Sequence, residues 1–132
     1  MDIKNNKAKV LVIDDEVGIG QILQKILVKE GHEVLAAANG KDGLKHVKKG
    51  NVDLVILDIK MSEMDGIEVL EKIHEIDKNI VVIMLTAYGT LGTAREAMRL
   101  GAYDYITKPF DNEFVKAMVK EGLESAGRMQ SA

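Results

Sequence analysis

The chain has 132 residues, within the usual span of one domain, and its 46% hydrophobic and 30% charged residues make a globular ratio that excludes a disordered or fibrous protein. A formal charge of −3 leaves no basic footprint for nucleic acid or an anionic membrane. No apolar stretch approaches the ~20 residues of a bilayer span, and the polar start is unlike a signal peptide, so a cytoplasmic location is expected. The absence of cysteine rules out disulfide scaffolds, thiolate zinc sites and cysteine nucleophiles, leaving carboxylates, hydroxyls, lysines and three histidines for any chemistry.

The first element is the solid apolar run Val10, Leu11, Val12, Ile13, which lacks alternation and so predicts a strand buried on both faces. Ile19, Ile22, Leu23, Ile26 and Leu27 then fall at i, i+3, i+4, i+7 and i+8, the stripe of a helix that ends before Gly31. A weaker strand is predicted over 33–38 and a helix over 41–49. The second solid run, Leu54 to Leu57, precedes a helix over 66–76. The third, Ile80 to Leu85, precedes a helix over 91–100, a weaker strand over 103–107 and a last helix over 112–124. Five alternations of strand and helix predict an α/β fold, a doubly wound parallel sheet with right-handed crossovers. Gly31, Gly50 and Gly101 each follow a helical run, where a left-handed cap needs no Cβ. Residues 1–8 and 126–132 are expected to be flexible tails around one domain at 9–125.

Every strong strand ends in a polar residue at its carboxyl end: Asp14 and Asp15 after the first, Asp58 after the third, Thr86 after the fourth, Lys108 after the fifth. Doubly wound sheets bind ligands outside that edge. Taken singly, Asp15 or Asp58 reads equally well as a helix N-cap. Capping does not explain three carboxylates in one crevice, since like charges a few ångström apart raise one another's pKa until a cation offsets them. Oxygen ligands without cysteine or nearby histidine favour a hard ion such as Mg²⁺, and Lys108 suits a phosphoryl oxygen. A carboxylate nucleophile, a metal, a lysine and a hydroxyl suffice for phosphoryl transfer to aspartate. The chain has no G-x-x-x-x-G-K-[ST], G-x-G-x-x-G or G-x-S-x-G motif for other phosphate, dinucleotide or esterase chemistry.

With VLVIDDE, LVILDIKMSEMDG, VIMLTAYG and GAYDYITKPF in this order, the sequence resembles the receiver domain of two-component response regulators. It looks most like the receivers of nitrogen-regulation-type activators or the single-domain relay proteins of sporulation. The resemblance implies a flavodoxin-like sheet of order 2-1-3-4-5 flanked by five helices. It implies that Asp58 accepts a phosphoryl group from a histidine kinase or histidine phosphotransfer protein. Asp14, Asp15, Asp58 and the backbone carbonyl of Lys60 would hold Mg²⁺, Asp14 through water. Lys108 and Thr86 would contact the phosphoryl oxygens, Thr86 and Tyr105 would form the switch, and a cis peptide would precede Pro109. An output domain or protein target, or a phosphorylation-dependent homodimer, would read the switch; nucleic acid and membrane are not expected as direct partners. Ser62 stands where most relatives carry proline.

Two rival readings compete. A free-standing Mg²⁺-dependent phosphatase working through an aspartyl phosphate would want a second Asp two residues after the nucleophile, where Lys60 stands. A binding module without phosphorylation would not need the full set of site residues. Beyond the site, His32, His46 and His74 lack ligand spacing and are expected at solvated positions. Met84 is expected in the core, and Met98 and Met118 in helix packing. Lys45, Lys48 and Lys49 gather at a helix C-terminus, where cations meet the dipole.

Overall fold

The computed structural model describes residues 7–61, 63–87 and 91–128, so Ser62 and the outer parts of both expected tails lie outside the described residues. Its elements are β1 (Lys9–Ile13), α1 (Val17–Lys29), β2 (Glu33–Ala37), α2 (Gly40–Lys49), β3 (Leu54–Asp58), α3 (Gly66–Ile76), β4 (Val81–Thr86), α4 (Leu91–Arg99), β5 (Asp104–Thr107) and α5 (Asn112–Ser125). All strand pairs are parallel, in the order β2-β1-β3-β4-β5. This is the α/β sheet expected from the sequence, with boundaries shifted by a residue or two.

The solid runs are solid because both faces of the central strands are covered. Leu11, Ile13, Val55, Leu57, Val82 and Met84 point to one core, with Leu44, Val47, Val69, Leu70, Ile73, Ala94 and Ala97 of α2, α3 and α4. Val10, Val12, Leu54, Ile56, Ile83 and Leu85 point to the other, with Leu23, Ile26 and Leu27 of α1 and Val115, Val119 and Leu123 of α5. The period of two along each strand thus sorts the chain into two cores with the sheet between them. Gly31, Gly50 and Gly101 take φ of 95°, 94° and 105°, the left-handed turns expected after the helices they follow.

Several side chains depart from expectation. Ile22 is 46% exposed, because the buried stripe of α1 runs through Gly20, Leu23, Ile26 and Leu27 and leaves Ile22 on its outer flank with Val17 and Val28. His32 is buried rather than solvated, and its Nδ1 accepts a hydrogen bond from the Ala8 N–H at 3.2 Å. His74 is half-buried, its Nε2 3.1 Å from the Ile80 carbonyl, so Nε2 carries the proton and donates. Met98 is exposed on α4, whereas Met84 and Met118 are buried as expected. Ala8 is buried and its carbonyl accepts from Glu33 N–H at 2.9 Å, which makes it part of the domain body.

Arg128 is anchored where a loose tail was expected. Its guanidinium donates to Asp53 Oδ1 at 3.1 Å and to Asp77 Oδ2 at 3.5 Å, and its backbone N–H donates to the Leu123 carbonyl at 2.8 Å. Asp53 also accepts the Lys9 N–H at 2.9 Å, so one carboxylate ties the ends of α5 and β1 to the loop before β3.

Candidate functional site

The strand phases that build the two cores also aim the polar residues. Asp14 continues the phase of Val10 and Val12, Asp58 that of Leu54 and Ile56, and Lys108 that of Ile106, all on the α1 and α5 side. Thr86 continues the phase of Val82 and Met84 toward α3 and α4, and Tyr105 packs half-buried against that core. The carboxyl edge therefore carries an acidic crevice toward one side and the Thr86–Tyr105 pair toward the other.

Asp14, Asp15 and Asp58 each place a carboxylate oxygen within 4.8 Å of the others. Asp14 and Asp58 are buried, while Asp15 is exposed at the rim. Lys108 Nζ reaches into the same crevice, 3.1 Å from Asp14 Oδ2 and 3.6 Å from Asp58 Oδ2. The backbone fixes both carboxylates: Glu16 N–H donates to Asp14 Oδ1 at 2.8 Å and Lys60 N–H to Asp58 Oδ1 at 3.2 Å. The main chain of Lys60 thus takes part in the site while its side chain is exposed. Lys108 is held by its own N–H, which donates to the Thr86 carbonyl at 2.8 Å, and is followed by the expected cis peptide to Pro109. Thr86 is fully buried at the end of β4.

Gly66 lets α3 begin directly beneath the acceptor strand. Its N–H donates to the Ile59 carbonyl at 2.8 Å. A Cβ there would lie 2.5 Å from the Asp58 carbonyl oxygen and 2.7 Å from Ile59 Cα, contacts that no side chain tolerates.

The electrostatics of the crevice are unbalanced. Burial foremost, and then the Asp14 carboxylate, push the Asp58 carboxyl from 3.8 up to about 6, against the lowering pull of Lys108 and the Lys60 N–H. Burial would lower the Lys108 ammonium, but its hydrogen bond to Glu16 and the charges of Asp14 and Asp58 outweigh this and hold it above its ordinary value. Asp14 Oδ2 is buried and lies 3.1 Å from the Lys108 ammonium, one cation shared with Asp58 and Glu16. A buried carboxylate oxygen left in that state, within a cluster of oxygen donors only, fits a hard divalent cation.

Of the residues expected from the sequence, Asp14, Asp15, Asp58 and Lys108 meet in one crevice, and Thr86 closes the neighbouring strand. Glu16 was not singled out, yet its Oε1 lies 3.0 Å from Lys108 Nζ. Its place as the third acidic residue of IDDE was the only sequence signal available.

The model of the response regulator receiver domain matches residues 10–120. The chain belongs to the receiver-domain family of response regulators. It is 44% identical over 115 residues to the sporulation initiation phosphotransferase F of Bacillus subtilis, covering 87% of this chain and 93% of that one. The transcriptional regulatory protein ZraR of Klebsiella oxytoca is 39% identical over 92% of this chain, which spans only 27% of that longer protein. The crystal structure of the receiver domain of NtrX from Brucella abortus superposes with a TM-score of 0.84 at 36% identity, covering 88% of this chain and 98% of that domain. Both types of receiver suggested by the sequence are therefore among its relatives. Receivers are phosphorylated on an aspartate by histidine kinases or phosphotransfer proteins and generally bind Mg²⁺ at an acidic cluster. The stand-alone phosphatase reading is not favoured. Among the described residues no helix is long and apolar enough to cross a membrane.

Proposed function

We propose that Asp58 is the phosphoacceptor of this receiver and that Lys108 and Thr86 receive the phosphoryl oxygens. One observation carries the reading. Asp58 is a buried carboxylate at the end of a central strand, raised to about 6, with two further carboxylates within 4.8 Å and a lysine ammonium 3.6 Å away. A carboxylate held at that disadvantage gains by forming a bond that is offset by cations. Asp14, Asp15 and Asp58, with the Lys60 carbonyl, would hold Mg²⁺. Bound there, the ion supplies the positive charge that lets three carboxylates and a phosphoryl group share one crevice.

An Asp58 oxygen attacks phosphorus as the P–N bond of a donor phosphohistidine breaks, and the imidazole leaves with the bonding pair. The backbone N–H of Lys60 fixes the acceptor carboxylate, and the Lys108 ammonium neutralises charge on the transferred group. In the later loss of phosphate, water attacks the same phosphorus, the bond to the Asp58 oxygen breaks with its electron pair returning to the carboxylate, and inorganic phosphate leaves with the water oxygen while a proton passes to solvent. The Thr86 hydroxyl, drawn toward a phosphoryl oxygen, leaves space for the Tyr105 ring and biases the face of α4, β5 and α5 toward an output domain, a protein target or a second copy.

The test is intact-mass analysis after incubation with Mg²⁺ and acetyl phosphate. A single phosphate adduct is expected on the parent and none on Asp58→Asn. An undiminished adduct on the variant would overturn the assignment.

A further inference from the structure

Glu16 is the N-cap of α1, yet its side chain caps nothing. N-caps favour short polar side chains that accept from the first free N–H groups of the helix. Asn39, Asp65 and Asp111 do this for α2, α3 and α5, accepting from Asp42, Glu68 and Glu113. The longer Glu16 side chain leans across to the loop after β5, where it accepts a hydrogen bond from Lys108 Nζ at 3.0 Å, 92 positions away in sequence. The same Nζ lies 3.1 Å from Asp14 and 3.6 Å from Asp58. Glu16 has 64% of its side chain exposed, whereas those of Asp14 and Asp58 are 0% and 6% exposed, so the ammonium sits between one carboxylate at the rim and two in the crevice and is shared among them.

We propose that Glu16 is a positioning residue that parks Lys108 between phosphorylation events, and that it slows phosphoryl transfer by competing with the phosphoryl oxygens for this ammonium. The proposal rests on Asp58 being the acceptor. With acetyl phosphate the bond between phosphorus and the acetyl oxygen breaks, acetate leaves with the electron pair, and Asp58 forms the new P–O bond; no proton or electron changes hands. What the step needs from the protein is positive charge beside Asp58. Lys108 already stands 3.6 Å from Asp58, but it shares its charge with Glu16 until the phosphoryl oxygens displace that carboxylate. Because Glu16 is largely solvated, its hold is weak, and the brake it exerts is a matter of several-fold rather than orders of magnitude.

Glu16→Gln and Glu16→Ala separate this from a structural role, since the side chain they alter does not cap the helix. With Mg²⁺ present, the first-order rate of adduct formation on the full chain is followed by intact mass with acetyl phosphate and, separately, with phosphoramidate, which carries less negative charge. Both variants are expected to react about threefold to tenfold faster than the parent, by the same factor with the two donors. In the protein without donor, the ¹⁵Nζ resonance of Lys108 is expected to move in both variants while amide shifts of the two cores stay in place. Rates equal to the parent's, or an unmoved Lys108 resonance, would overturn the proposal. So would acceleration confined to acetyl phosphate, which would assign the effect to repulsion of the more anionic donor. An adduct that survives Asp58→Asn would remove the acceptor assignment and this proposal together. Unchanged rates in Glu16→Gln with the adduct still confined to Asp58 would remove the proposal alone.

Discussion

The Ala8 N–H donates to Nδ1 of the buried His32 at 3.2 Å, so folding requires that nitrogen to be unprotonated. Burial foremost lowers the His32 pKa, against the raising charges of Glu30 and Asp53. A depressed folded-state value means that stability is present above the unfolded value of ~6.5 and is lost as pH falls through the folded one. His32→Leu is expected to lose about 1 kcal/mol at pH 7.5, where Ala8 is left without its acceptor. It should also flatten the acid limb of stability seen by urea denaturation between pH 7.5 and 5. An acid limb as steep as the parent's would show that another group drives it.

Asp58 acts in the opposite sense. Its folded value of about 6 lies above the ordinary 3.8, so its contribution favours folding below that ordinary value and is lost as pH rises through 6. Asp58→Asn, which removes the charge, is expected to stabilise the metal-free protein at pH 7.5 by about 1–2 kcal/mol. This is less than the full shift is worth, because Lys108 loses a partner. The same variant should leave the His32 limb exposed as a steeper fall between pH 6.5 and 5. Unchanged stability at pH 7.5 would refute the raised value.

Mg²⁺ should raise the melting temperature of the parent by mass action, about 1.4 kcal/mol at ten times Kd. Asp15→Ala should remove that response while leaving the metal-free protein folded, because Asp15 stands exposed at the rim. A variant that responds like the parent would show that Asp15 is no ligand.

Arg128→Ala should destabilise the chain by about 1 kcal/mol, since a half-buried guanidinium loses two carboxylates. Hydrogen exchange should rise at the end of α5 and at Lys9, which shares Asp53 with Arg128. Faster exchange spread evenly over the sheet would contradict a local anchor.

A beryllofluoride mimic with Mg²⁺ should shift amides over 86–106 more than over 17–38. The reason is that Thr86 and Tyr105 face the core to which α4 contributes the small buried side chains of Ala94 and Ala97. Thr86→Ala should abolish this pattern and still allow the Asp58 adduct. Equal shifts in both regions would refute the route.

The sheet was legible because burial on both faces removes the polar alternation from β1, β3 and β4, and the crevice because each of these runs ends abruptly in Asp or Thr. Ile22 was misplaced because it sits at the margin of the α1 stripe, where one helical step decides between core and solvent. His32 gave no periodic signal, since its burial depends on the Ala8 backbone two dozen positions earlier. The Glu16–Lys108 and Arg128–Asp53 pairs join residues separated by 92 and 75 positions, and a linear pattern carries no information on such meetings.

The Arg128 anchor and the Ala8 pairing set both described ends of the chain at the amino edge of the sheet, beside Asp53 and Glu33, whereas the acidic crevice opens at the carboxyl edge. An affinity tag, a fluorophore or a sensor surface attached at either end would therefore leave the crevice facing free solution. A donor protein arriving at an immobilised layer of this chain would meet the reactive edge first.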